Sequence, residues 1–248
     1  MQISGISSGT SPNGQSTRTT ASSSPATPSR KHFALSGRSV AFDPRVDAAR
    51  GDLADLRLAD RIFAPHYAAA VLRTVIRRAI VRTDVSGEPL SEVLPGETFE
   101  VLELARGHAW GVSPVDGVVG FVESDALAPY APGQPPSPQP DVVAVAESLI
   151  GIPVTPGGRS DAGVDAGGFL FLALSRAGHA VARFIDLQAT SIGDVVEDGR
   201  VTRGDLLFTD ATAAIALDGE TAIHVGAERV ERVAIADLGP LTVRRRIA

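Results

Sequence analysis

Gly157-Gly158-Arg159-Ser160-Asp161-Ala162-Gly163-Val164-Asp165-Ala166-Gly167-Gly168 runs straight into Phe169-Leu-Phe-Leu-Ala-Leu-Ser-Arg-Ala177. The first part is a glycine-rich loop. The second is mostly apolar and free of glycine and proline until Gly178, so the junction predicts a loop opening into a buried helix. Asp165 is placed to cap that helix, its carboxylate accepting the free backbone N–H groups of the first turn, and Gly178 is placed to end it. Gly167 and Gly168 fall inside the first turn, where each costs about 0.8–1 kcal/mol relative to Ala. Two readings of that cost stand side by side: the backbone must approach a ligand there, or it must pack tightly on a neighbouring strand. A helix start lined by small residues also suits an anion, and Arg159 lies just upstream. Arg159, Asp165 and Gly167 are therefore candidate binding residues.

On either side of this junction the pattern is that of an α+β domain. Upstream, Asp141 is a plausible cap for a helix over Val142–Ile150 that Gly151 stops. Downstream come the short apolar runs 206–208, 213–217, 222–225 and 229–235, with Asp218-Gly219 as a hairpin turn. Helices followed by consecutive antiparallel strands give helices packed on an antiparallel sheet. Within the third run, His224 has Ile223 and Val225 on either side and so faces opposite to them. The Arg244-Arg245-Arg246 cluster reads as a solvated chain end.

Ala131-Pro-Gly-Gln-Pro-Pro-Ser-Pro-Gln-Pro140 holds five prolines in ten residues. It reads as a semi-rigid spacer and sets a domain boundary at 131–140. Before it, residues 65–130 carry the β-rich runs 75–76, 79–81, 98–102 and 118–122, separated by Ser86-Gly87, Pro95-Gly96, Arg106-Gly107 and Asp116-Gly117. Such spacing predicts a small β-barrel. Trp110 within it has two readings, a ligand-stacking platform or a core residue. Residues 32–64 read as an extended arm lying on the domains, or equally as a surface linker. Residues 1–31, rich in Ser, Thr and Pro, read as a disordered tail.

Composition closes several routes. The net charge of -6 gives no electrostatic footprint for nucleic acid. The chain has no cysteine, which excludes disulfides, thiolate metal sites and thiol chemistry together. His66, His108 and His179 have no metal-site spacing, and neither a metal nor a cofactor is expected. No apolar run is long enough to span a bilayer, and the N-terminal residues lack the apolar stretch of a signal peptide. The cytoplasm is therefore the expected compartment.

The junction quoted first resembles that of the NlpC-type cell-wall endopeptidases, papain-like enzymes that cut peptidoglycan stem peptides. In that family a Gly-Gly-Arg-Ser loop leads to Asp-Cys-Ser-Gly, with the cysteine at a helix N-terminus where its thiolate is favoured. Arg203-Gly204-Asp205-Leu206-Leu207-Phe208 resembles the family's Arg-Gly-Asp-Leu strand, and Arg183 with Gln188 resembles its Arg-Asp-Ser-x-x-Gln segment. The order Leu94–Leu102, Ala109-Trp110-Gly111, Asp116–Val122 resembles bacterial SH3-like domains, which commonly precede NlpC-type domains. The resemblance spans roughly Val40 to the C-terminus and implies a degenerate NlpC-type domain over 141–248.

By that resemblance the nucleophile position is Ala166 and the residue after it Gly167. The base falls on Thr212, twelve residues before His224, and the tyrosine position on Val154. His224 matches the family's orienting residue. Of the four expected catalytic groups only this one is kept, so no catalytic set is intact at Ala166, Thr212, His224 and Val154. Thr212 and His224 are expected on neighbouring strands facing Ala166, with His224 hydrogen-bonded within the sheet or used as a base for different chemistry. Phe184 and Ile185 replace the family's Asp and Ser, which favours a sealed cleft or a partner surface. The resemblance implies an inactive endopeptidase homologue that binds a stem peptide or a homologous peptidase, associated with the cell envelope. An active hydrolase of the same family and a purely structural interaction protein are the alternatives, and the oligomeric state is open.

Overall fold

The computed structural model describes residues 42–133, 141–197 and 199–247. The tail 1–31, the first part of the arm and most of the proline-rich spacer lie outside the described residues.

The arm from residue 42 enters β1 (Leu53–Asp55), which pairs in parallel with β2 (His66–Ala68). The barrel follows as β3 (Val71–Val75), β4 (Ala79–Arg82), β5 (Pro89–Val93), β6 (Thr98–Ala105), β7 (His108–Ser113), β8 (Val118–Glu123) and β9 (Leu127–Pro129). These seven strands are hydrogen-bonded in the order β5-β4-β8-β7-β6-β3-β9, every pair antiparallel. Period-two alternation sends Val75, Val81, Phe99, Val101, Ala109 and Val122 into one core. A bulge in β6 between Val101 and Glu103 changes the register of β7 on β6. On the other side Trp110, Leu102 and Val119 pack with Ala48 of the arm, and Leu53 and Ala68 close the same cluster. The arm is thus fastened to the barrel by apolar packing, and Val119 N–H donates to Arg45 O at 2.8 Å.

The second half contains α1 (Val142–Ser148), the two-residue strands β10 (Arg159–Ser160) and β11 (Gly163–Val164), α2 (Ala166–Arg176), α3 (Ile185–Ser191) and β12 (Asp194–Val195). It continues with β13 (Leu206–Phe208), β14 (Ala213–Ala216), β15 (Thr221–Val225), β16 (Val230–Ala234) and β17 (Val243–Arg246). Six of these strands form an antiparallel sheet in the order β12-β17-β13-β14-β15-β16. The Asp218 carboxylate makes the β14–β15 turn by accepting Glu220 N–H and Thr221 N–H, both at 2.8 Å. Leu206, Phe208, Ala213, Ile215 and Ile223 share the core with Phe169, Leu170, Ala173 and Leu174 of α2 and with α1. The fold class is α+β, mostly antiparallel, with helices packed on one sheet.

The Arg244–Arg246 segment is not a solvated chain end. It is the inner strand β17, paired with β12 on one side and β13 on the other. Arg246 Nε donates to the fully buried Asp205 at 2.6 Å. Arg245 donates to the carbonyls of Ala189, Thr190, Ile192 and Gly193, which lie at the end of α3 and just beyond it. The cluster looked solvated because three adjacent charges have no apolar alternation, while their partners lie about forty residues or more away.

Candidate functional site

The start of α2 is built around Asp165. Its Oδ1 accepts Gly168 N–H at 2.7 Å as the helix cap, and its Oδ2 accepts Gly157 N–H at 3.0 Å and an Arg183 guanidinium N–H at 2.7 Å. Arg183 is 2% exposed. It also donates to Gly158 O and to Ser91 Oγ of the barrel, both at 3.3 Å. Asp165 is thus a structural cap, committed on both oxygens.

Gly168 resolves the two readings of the double glycine. A Cβ at this position would lie 1.9 Å from Gly158 O, and one at Gly167 would lie 2.7 Å from Arg183 O. The first turn is pressed on its own upstream loop and on the segment after α2. Tight backbone packing, rather than an approaching ligand, accounts for both residues.

Arg159 does not face an open cleft. It is 2% exposed, and its guanidinium grips Glu97 of the barrel through two bonds of 2.9 and 2.6 Å. Its Nε makes an ion-pair contact of 2.9 Å with Asp116, without the alignment of a hydrogen bond. Its backbone N–H donates to Glu92 at 2.8 Å, and Glu92 pairs with Arg78. Burial works against the Arg159 charge, but Glu97 and Asp116 together hold its pKa above the ordinary guanidinium value. Ser91 Oγ donates to Asp116 as well as receiving Arg183, so the Arg159 and Arg183 networks join. The sequence signal for these partners was faint. Glu92 stands out as a charge inside an apolar strand, but nothing in the sequence names what neutralises it.

The remaining expected site residues come from four segments of the second half. Ala166 is the first residue of α2, as its place after Asp165 requires. Val154 forms a parallel bridge with Val164 and donates its N–H to Glu228 O at 2.9 Å, so it serves the loop. Thr212 sits one residue before β14, where its N–H donates to Thr209 Oγ1 at 3.0 Å. His224 is opposite Ala214, on the sheet face turned away from Ile215 and Ile223. The helix-side residues Ala213, Ile215, Ile223 and Val225 are apolar, and His224 does not share their face. Nor does His224 hydrogen-bond within the sheet. Its Nε2 is 3.9 Å from Glu231 and its Nδ1 is buried without a hydrogen-bond partner, as is Thr212 Oγ1. Burial lowers the His224 pKa below the ordinary histidine value, against a smaller upward pull from Glu231.

Trp110, read as a possible ligand platform, is 4% exposed and belongs to the packed cluster with Ala48. The Arg50 guanidinium covers its ring at 4.6 Å, so no ligand can stack there. Phe184 packs against the barrel core, with the Arg45 guanidinium 4.4 Å above its ring and bonded to Asp186 at 2.6 Å. Among the described residues there is no group of three or more His, Asp or Glu able to hold a metal ion, and no helix is long and apolar enough to cross a membrane.

Residues 82–127 match the family described as "Bacterial dipeptidyl-peptidase Sh3 domain". The barrel is a bacterial SH3 domain. That match takes in β5 to β8 whole, so Glu92, Glu97 and Asp116, the three acids that hold Arg159, are all SH3-domain residues. No curated protein matches the chain. Several solved structures are similar to it. NlpC1 from Trichomonas vaginalis has 18% identity and a TM-score of 0.41, over 71% of this chain and 69% of that one. An NlpC/P60 family protein from Bacillus cereus has 18% identity and a TM-score of 0.41, over 71% and 62%. The NlpC/p60 domain of the peptidoglycan hydrolase SagA has 26% identity and a TM-score of 0.39, over 43% of this chain and 96% of that domain.

Proposed function

We propose that this chain is a catalytically inactive NlpC-type homologue that acts by binding cell-wall peptide. The observation that carries the reading is Ala166 at the first position of α2, in a chain with no cysteine at all. A thiol-type endopeptidase needs a thiolate and a base within hydrogen-bond reach, and here a methyl group stands where the resemblance puts the thiol. Thr212 in the base position and the apolar helix-facing residues Ala213, Ile215 and Ile223 add to it. Phe184 on the SH3 core and Arg159 and Arg183 in internal ion pairs also favour binding outside the former cleft over turnover within it.

Two assays on the purified full chain test this. Stem peptides containing the γ-D-glutamyl–diamino acid bond should be recovered uncut, and the chain should sediment with purified sacculi. Cleavage that disappears in His224→Ala would show an active hydrolase. Absence from the sacculus pellet, with co-purification of a homologous peptidase from native cells, would replace wall binding by partner binding.

A further inference from the structure

Arg106 is the one non-glycine residue with a positive φ among the described residues, at φ 51, and Gly107 follows at φ 81. They are the central pair of the two-residue turn between β6 and β7, since Ala105 pairs with His108. A turn with both central φ values positive favours Asn or Asp at the first place, because a larger side chain is strained there. The strain at Arg106 is held from two sides. His108 Nδ1 lies 3.2 Å from Arg106 O, and Ser124 N–H donates to Gly107 O at 2.9 Å. A carbonyl can only accept, so Nδ1 carries the proton in that contact. Strain maintained in this way is a pointer to a role for the side chain it displays.

That side chain lines a groove of about 320 Å³ together with Arg73, His108, Leu104, Leu127 and Pro129. The register locates it. Arg73 is opposite Phe99 and Pro129, Leu104 is opposite Ala109, and Leu127 is opposite Val75. Phe99, Ala109 and Val75 belong to the barrel core, so the groove is the open end of that core. No acidic residue lines it. The guanidinium groups of Arg73 and Arg106 have no hydrogen bond or ion pair among the described residues, whereas Arg50, Arg57, Arg77 and Arg78 of the same half are all paired with carboxylates. In a protein of net charge -6, two guanidiniums without a partner thus line one groove that no acidic residue lines.

We infer that this groove binds the terminal carboxylate of a short peptide. Arg presents a planar fork that matches a carboxylate, and Leu104, Leu127 and Pro129 offer an apolar wall for the residue that bears it. The volume is at the small end for ligand pockets, which run from about 300 Å³ upward, and suits one or two residues. Bare phosphate would meet the charges but leave the apolar wall unused. The inference stands on the barrel alone and does not depend on the state of the Ala166 site.

Titration calorimetry on the full chain tests it with three probes: N-acetyl-Ala-Ala as the free acid, the same peptide amidated, and inorganic phosphate. The free acid should bind at least tenfold more tightly than either of the others. Arg73→Gln and Arg106→Asn should each lower its affinity at least tenfold. Arg106→Asn places a preferred residue at a positive φ, so its melting temperature should rise by about 2–4 °C while binding falls. A higher melting temperature with lost binding separates a ligand-facing Arg106 from one needed for folding. Equal binding of acid and amide, phosphate binding as tight as the free acid, undiminished affinity in Arg106→Asn, or no binding of any probe would overturn the inference.

Discussion

His224 is the one titratable side chain of the β14–β15 hairpin whose ring is largely enclosed, with only 17% of the side chain exposed. Burial depresses its pKa, and Glu231 across the strand pair at 3.9 Å is too far to cancel that effect. The folded chain therefore takes up this proton less readily than the unfolded chain. The neutral ring's contribution is fully present above the ordinary histidine pKa of about 6.5 and is lost as pH falls through and below it. Denaturant midpoints measured at pH 7.5 and 5.5 should show the wild-type chain weakening, and His224→Gln should weaken less. Parallel loss in the two proteins would mean that another group sets the slope. Asp205 belongs to a different window. Burial opposes its charge, but Arg246 and Thr202 hold its pKa below the usual carboxylate value, so its contribution is lost only in stronger acid.

The helix α2 shows what a sequence can and cannot say about an element. Its start, its cap and its end were legible, because Asp165, the apolar run and Gly178 each act locally, and Gly178 has φ +90. The strands 206–208 and 213–216 were legible from short apolar runs and a hairpin turn. What was hidden depends on distant partners: β17 on Asp205 and α3, and α3 itself, whose N-cap Phe184 makes no side-chain bond to announce it. At the candidate site, spacing gave the position of Ala166 and set His224 opposite to Ile223 and Val225, but not which face of the sheet α2 covers. Gly168 yields a test at this scale. Replacing glycine by alanine inside a helix ordinarily gains about 0.8–1 kcal/mol. Here the new methyl would meet Gly158 O at 1.9 Å, so Gly168→Ala should instead destabilise, by about 1–3 kcal/mol as overpacking does. A midpoint unchanged or raised in urea would show that the loop yields.

At the scale of the whole molecule, the two halves are joined by a charged network with little solvent access. Arg159 contributes three cross-domain contacts, to Glu92, Glu97 and Asp116, and Arg183 adds Ser91. Removing the Arg159 guanidinium leaves the buried Asp116 without its counter-charge, a loss of the kind that costs about 3–5 kcal/mol. Calorimetry should show the two halves of the wild-type chain melting together. Arg159→Met should lower the melting temperature and resolve separate transitions for the SH3 domain and the second sheet. A single transition at the wild-type temperature would mean the halves are held by apolar contacts such as Phe184 instead. The second sheet has a further property that follows from its strand order. β17 comes after β16 in sequence yet lies between β12 and β13. On a chain leaving the ribosome, β13 to β16 can zip as successive hairpins, while the outer edge of β13 waits for residues 243–246. During that interval Asp205 is without Arg246, its partner 41 residues later. An open strand edge is a template for foreign strands, and domains are synthesised slowly enough for such a wait to matter. The nascent chain, between the emergence of β16 and that of β17, is therefore the form of this protein most exposed to mispairing.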